Sequence, residues 1–285
     1  VQEAREAWRR YLDHECGFIG IEGIASDQDV SSRRFRLEDL FVPQRLFIKA
    51  DDDEEDEDEE ISIADALSNL PQLAILAAPG GGKSTLLKRL AVAYADPARL
   101  SLVSDQLPDC GWFPIFLRCR ELRDLARRPL GVILQEVAQK DHLCQHSNVF
   151  LALAQDALQR GNALLLVDGL DEISDDATRT ALVCTLRAAL DVWPQTRLVL
   201  TSREAGFRHV APYLAPFCHQ AKLATLGHDD IRNLSERWHI QVEGDSDDVR
   251  QKAQTLAERI ISNNRVAQLA GNPLLLTTLF LVKRQ

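Results

Sequence analysis

The chain has 285 residues, 45% of them apolar and 27% charged, which suits a globular protein of one large or two modest domains. No apolar run reaches the roughly 18–20 residues of a membrane span, Pro273–Val282 being the nearest, so no membrane partner is expected. The net charge of −10 sits in one run of ten acids, Asp51–Glu60; the rest of the chain is balanced and gives no pointer to nucleic acid.

The acidic run is too charged and too poor in apolar residues to fold alone, and it reads as a solvated, disordered loop. Six scattered cysteines with no C-x-x-C pair suggest reduced thiols and a cytoplasmic protein. The triplet His142-x-Cys144-x-His146 lacks a second pair of ligands and makes a poor metal site. The charged N-terminus Val1–Arg10 is not a signal peptide. With Val1 in place of an initiator and an unfinished helical pattern at Leu279–Gln285, the chain reads as a piece of a longer protein.

In chain order, Glu3–His14 has helical spacing, with Trp8, Tyr11 and Leu12 on one face. Leu37–Ile48 is apolar but interrupted by Pro43, which predicts an extended or irregular segment. Ile61–Leu70 follows as a short helix. From there short apolar strands alternate with amphipathic helices. The strands are Gln72–Ala77, Trp112–Leu117, Ala163–Val167, Arg197–Thr201 and His219–Leu223. The helices are Lys83–Tyr94, Leu130–Gln139, Ser147–Arg160 and Asp175–Val192. This alternation predicts an α/β fold with a parallel five-stranded sheet. After His228 only helices are expected: Asp229–Trp238, Asp247–Asn263 and Pro273–Val282. The expected organisation is an N-terminal extension over 1–70 with a disordered acidic loop at 51–60. A nucleotide-binding domain over 71–222 and a small all-helical domain over 223–285 follow.

The chemistry concentrates in two places. Ala77-Ala78-Pro79-Gly80-Gly81-Gly82-Lys83-Ser84-Thr85 matches the G-x-x-x-x-G-K-[ST] phosphate loop except for Ala77 at its first position. Successive glycines let backbone N–H groups turn inward around phosphate oxygens, and the following helix adds its positive end. In such a loop Ala78, Pro79, Gly80, Gly81, Gly82, Lys83, Ser84 and Thr85 contact the nucleotide. Lys83 reaches the outer phosphates and the Ser84 hydroxyl ligates Mg²⁺. The second place is Leu164–Glu172, a buried strand ending in acid. Asp168 is placed to hold a water on the metal, while Asp171 and Glu172 are candidates to orient or deprotonate the attacking water. A third, weaker signal is Thr201-Ser202-Arg203 at a strand end. There the hydroxyls can sense a γ-phosphate and Arg203 can carry positive charge to the nucleotide or to a neighbouring acid.

Together these motifs resemble the NACHT family of signal-transduction NTPases, within the STAND class of P-loop switches, and its bacterial, NLR-like members. The resemblance covers about residues 70–285 and is most specific at Asp168-Gly169-Leu170-Asp171-Glu172. Thr201-Ser202-Arg203 looks like the family's sensor. Gly271-Asn272-Pro273-Leu274 resembles its Gly-x-Pro element, whose proline, here Pro273, would pack near the base. Leu37–Val42 resembles stretches that precede such domains. The resemblance implies an ATP/ADP switch with Mg²⁺, slow regulatory hydrolysis, and self-association on activation. It also implies sensor and effector domains outside this sequence.

Two other classes compete. A nucleotide kinase would need a second substrate site, for which only the Arg118–Arg128 stretch offers itself, and the double acid favours water as acceptor. A binding scaffold would hold nucleotide without turning it over. No Asn-Lys-x-Asp motif supports a G protein, and no Ser-Gly-Gly signature supports a transporter ATPase.

Overall fold

The computed structural model describes residues 2–20, 34–49, 58–139 and 144–283. A helix over Gln2–Cys16 leads into a small antiparallel ribbon of β1 (Phe18–Gly20) and β2 (Arg34–Arg36). A single helical turn, Leu37–Leu40, then feeds β3 (Arg45–Lys49) and β4 (Asp58–Ser62). The remaining strands are β5 (Gln72–Leu76), β6 (Phe113–Arg118), β7 (Ala163–Asp168), β8 (Arg197–Ser202) and β9 (His219–Leu223).

The main sheet has seven strands in the order β4-β3-β9-β5-β8-β7-β6. β9, β5, β8, β7 and β6 run parallel, and they are the five strands expected from sequence. The expectation of a five-stranded, all-parallel sheet is corrected by β3 and β4, which add an antiparallel edge. Two features conceal them in the sequence. Pro43 lies just ahead of β3, and β4 takes its first three residues from the acidic run. Asp58, Glu59 and Glu60 are therefore strand, not disordered loop, while residues 51–57 lie outside the described residues. An edge strand tolerates such charge because much of it faces water, and Glu60 accepts from Arg45 at 2.8 Å on the neighbouring strand.

Core strands are apolar because both faces are covered: Ala163 to Val167 are fully buried. The helix Lys83–Ala95 packs across β6, β7 and β8, and the Gln2–Cys16 helix packs on it in turn. Trp8 anchors that outer helix. Its ring lies 4.4 Å from Phe150 and 5.1 Å from Tyr11, and its Nε1 donates to the Pro114 carbonyl at 2.9 Å. Residues before 70 thus share the sheet and its core, and are more than an appended extension.

From His228 the described chain is helical: His228–Glu243, Asp247–Ile261, Asn264–Ala270 and Pro273–Lys283. The predicted Asp247–Asn263 helix stops two residues sooner, and Asn264–Ala270 adds a helix to the three expected. A second core of Ile231, Trp238 and Phe280 forms here, and Phe35, Leu40 and Val42 from the N-terminal segment complete it. Among the described residues no single helix is long and apolar enough to cross a membrane. Cys16, Cys110, Cys119, Cys184 and Cys218 are free thiols.

One buried carboxylate ties these parts together. Glu38, 5% exposed, receives Arg99 in a fork at 2.6 and 2.8 Å. Arg99 also holds Asp13 of the first helix, and its carbonyl accepts from the fully buried Arg89, which is itself clamped by Asp105 at 2.8 and 3.0 Å. The Glu38 carbonyl accepts from Arg237 of the helical segment at 3.1 Å. Burial acts to raise the Glu38 pKa, but the Arg99 hydrogen bonds outweigh it and hold the carboxyl below its usual range. A depressed carboxylate contributes stability that is present above its unfolded value, near 4.5, and lost as pH falls below it. Glu38→Ala leaves two buried guanidinium groups undercompensated. We expect it to cost about 3–5 kcal/mol in urea denaturation at pH 7, with the gap to wild type narrowing at acid pH.

Candidate functional site

The loops after β5, β7 and β8 open at one edge of the sheet, because parallel strands end on the same side. β5 stops at Leu76, and the Ala77 amide still bonds to the Ser202 carbonyl of β8 at 3.3 Å. Beyond it the chain turns tightly, with Gly81 N–H donating to Ala78 O at 3.1 Å. Gly80 and Gly82 have φ of +73° and +95°, which side chains disfavour. Space is short as well: a Cβ on Gly82 would lie 2.3 Å from Nε2 of Gln44. Ala77 needs no such freedom, so the departure from the glycine consensus is accommodated.

Lys83 opens the helix that follows. Its Nζ donates to the carbonyls of Ala77 at 2.7 Å and Ala78 at 3.0 Å. Two of the three ammonium donors are thereby fixed, and the third remains for a ligand. Partial burial pulls the Lys83 pKa below its usual value, against the pull of Asp171 and Asp168 in the other direction.

β8 separates the loop strand from β7, so the acid that ends β7 is braced by β8. Asp168 Oδ1 accepts from Ser84 Oγ at 3.0 Å and from Thr201 Oγ1 at 2.9 Å. Thr201 Oγ1 in turn accepts from the Gly169 amide at 3.0 Å. Thr201 and Ser202 are fully buried, and Ser202 Oγ donates to the Arg203 carbonyl. The expectation that these hydroxyls sense a γ-phosphate is corrected: Thr201 orients Asp168, and Ser202 serves its own turn.

After Gly169, with φ +74°, a single 3-10 turn presents Asp171 and Glu172. Asp171 is committed to Arg203, accepting from its amide at 2.9 Å and pairing with Nε at 3.0 Å. Of the two destinations expected for Arg203, the neighbouring acid is the one its Nε occupies. Gly206 lets the chain pass close, since a Cβ there would sit 2.5 Å from Asp171 Cβ. Glu172 lies against Gly169 and makes no hydrogen bond through its carboxylate among the described residues. Desolvation first, then the Asp168 and Asp171 charges, raise its pKa above the usual value, with Arg120 partly opposing them.

These groups line a cavity of about 340 Å³, within the range of small-molecule sites. Pro79, the three glycines, Lys83, Ser84 and Thr85 form its floor, and Asp168, Asp171, Glu172 and Arg203 one side. Ala78 does not line it; its carbonyl holds Lys83 instead. Pro273 lines it too, with Leu274, Thr277 and Leu234 of the helical segment. Ile19, Gly20 and Leu40 close the remaining side. Sequence reasoning missed these three, Leu234 and Thr277, because no motif marks a residue that reaches a site only through the tertiary fold.

Among the described residues no group of three or more His, Cys, Asp or Glu side chains could cage a metal, and His142 of the weak triplet lies outside them. Ser84 Oγ and Asp168 Oδ1 offer two hard oxygen donors 3.0 Å apart. That set suits Mg²⁺, which takes few protein ligands and fills its shell with phosphate oxygens and water.

A search of curated proteins returned no match. Among models of protein families, the NACHT domain matches residues 72–242, a span that runs from β5 through the first helix of the helical segment. That span is more than half of the chain and includes the phosphate loop and the braced acid, so the chain belongs to the NACHT family of nucleoside triphosphatases.

Proposed function

We propose that this chain is a nucleotide-dependent switch that binds ATP or ADP with Mg²⁺ in the loop cavity and hydrolyses ATP slowly. The observation that carries the reading is the make-up of the cavity: a phosphate-binding floor and acidic side on one domain, and Leu234, Pro273, Leu274 and Thr277 from the helical segment. A nucleotide filling it touches both. Its occupancy therefore bears on how the helical segment sits, in proportion to the difference in affinity for the two arrangements. Self-association as the output, and sensor and effector domains elsewhere, follow from the family resemblance.

In this reading the backbone amides of the loop that are not already bonded within it, and the free donor of Lys83, hold the outer phosphates. Ser84 and Asp168 hold Mg²⁺, which when bound neutralises charge on the phosphate oxygens. Glu172 accepts the proton of the water that attacks the γ-phosphorus, as ADP leaves. Its raised pKa makes it a better base than an ordinary carboxylate, and among the described residues no hydrogen bond restrains it. Asp171, the rival for that role, has both oxygens occupied by Arg203, so it supports the guanidinium as an electrostatic partner of the phosphates. The uncommitted Glu172 also favours turnover over the scaffold reading.

Lys83→Ala should weaken binding of fluorescent ATP and ADP at least 30-fold, corresponding to about 2–3 kcal/mol for a charge-assisted contact. An unchanged dissociation constant would refute the site.

Glu172→Gln separates turnover from binding. A carboxyl with a raised pKa opposes folding once it ionises, so the substitution should leave Tm at pH 7 equal or higher. Mg·ATP affinity should hold while single-turnover hydrolysis falls about 100-fold or more. Asp171→Asn should slow hydrolysis less, and Asp168→Asn should blunt the Mg²⁺ dependence of binding. Normal hydrolysis in Glu172→Gln with loss in Asp171→Asn would move the base to Asp171. Normal rates in both would leave a scaffold.

A further inference from the structure

In the phosphate loop each carbonyl from Ala77 to Gly80 has a partner. Lys83 Nζ takes those of Ala77 and Ala78. The next two are taken by the helical segment. Asn272 Nδ2 donates to Pro79 O at 2.8 Å, and the Leu274 amide donates to Gly80 O at 3.3 Å. The approach is close enough that a Cβ on Gly80 would sit 2.7 Å from Leu274 Cβ and 2.9 Å from Asn272 Oδ1.

Asn272 does two jobs with its two ends. Oδ1 accepts from the amides of Leu274 at 3.0 Å and Leu275 at 3.3 Å, capping the Pro273–Lys283 helix. That pair of donors fixes the orientation of the carboxamide, because only an oxygen can accept them, and so the NH₂ end must face Pro79. Helix cap and loop contact are therefore one rigid unit: the first turn of the helix cannot move away without releasing the loop.

We propose that Asn272 is a positioning residue that holds the phosphate loop in its binding shape from the helical segment. Through it, nucleotide affinity and docking of the Pro273–Lys283 helix are coupled by protein contacts alone. This rests on the nucleotide-switch reading above. It adds a link that needs no contact between nucleotide and helix. Lys83 holds its two carbonyls with two donors and keeps the third for phosphate. Asn272 Nδ2 and the Leu274 amide hold the carbonyls of Pro79 and Gly80, where a phosphate oxygen, itself an acceptor, cannot replace them, and are the fixed ones. Coupling of this kind is reciprocal: whatever tightens the loop for phosphate tightens the helix on the loop by the same factor.

Asn272→Ser and Asn272→Asp test it in the full 285-residue chain. Both residues cap helices well, so the cap survives. Serine is too short to reach Pro79, and aspartate puts an acceptor against its carbonyl. Two readouts are taken: the dissociation constant for fluorescent ADP, and amide hydrogen exchange over Pro273–Lys283 with and without ADP. In wild type ADP should slow exchange in that helix. In Asn272→Ser the affinity should fall about three- to tenfold and the ADP-induced slowing should disappear, with a larger loss of affinity in Asn272→Asp. Wild-type affinity and an intact ADP response in both variants would overturn the proposal. So would faster exchange without ADP at unchanged affinity, since that marks a helix cap and nothing more. Should the serine variant fail to fold, the aspartate variant decides between the same two outcomes. If wild-type protein itself does not bind ADP, the nucleotide reading fails first, and the two failures are told apart.

Discussion

The site depends on the position of one carboxylate. Asp168 ends a strand that is not adjacent to the loop strand, because β8 lies between them. An acid so placed would be free to swing, were it not for a hydroxyl on the intervening strand. Thr201 supplies it, accepting from the Gly169 amide and donating to Asp168, and Ser84 reaches the same oxygen from the loop helix. Three elements thus meet on one atom. Shifting any of them by an ångström would break a 3 Å contact and move the pair of oxygens that can take a metal. The apolar residues of β7 and β8 belong to the same requirement, since a strand buried on both faces holds its end in place.

Much of this is legible in the sequence, and the reason is local. Phosphate loops need glycine for positive φ, a lysine and a hydroxyl at fixed spacing, and those demands are written into nine consecutive residues. Four of the five parallel strands are equally plain, because burial on both faces leaves an apolar run, while β9 alternates exposed polar and buried apolar residues. β3 and β4 are not plain. An edge strand has weaker compositional demands, and β4 draws on residues whose charge alone argues for disorder. Thr201 misleads for a related reason: a hydroxyl at a strand end looks the same in sequence whether it faces a ligand or the neighbouring strand. Only the strand order decides, and strand order is a long-range property.

The N-terminal segment shows the same limit from another side. Before residue 70 no motif suggests a role, yet Trp8 is buried under the sheet and Glu38 sits where four parts of the chain converge. A buried ion network is an inefficient source of stability, since desolvating each charge costs much of what the pair returns. Its geometric consequence is stronger. Charges that must all be satisfied at once allow few relative placements of the first helix, the Leu37–Leu40 turn, the Arg99 turn and the helical segment. Leu40, at the end of the same helical turn as Glu38, lines the cavity. The network therefore sets the wall of a site to which it contributes no atom.

Those constraints bear on how a γ-phosphate can be felt at all. A ligand shifts an equilibrium only through contacts that differ between its states. In the proposed reading a γ-phosphate meets Lys83, Asp168 and Glu172 of the α/β part, whereas Pro273 and Leu274 belong to the helical segment. If the two were linked by nucleotide alone, gaining or losing that phosphate would change little at the helical segment. A loop whose carbonyls are held from the helical side changes the situation. In the proposed reading the free donor of Lys83 meets phosphate while its other two hold Ala77 and Ala78, so the lysine joins phosphate to the turn that presents the carbonyls of Pro79 and Gly80. In the proposed switch, a difference between two bound nucleotides would reach the helix through the loop backbone. The glycine at position 80 is what allows that backbone and helix to lie so close.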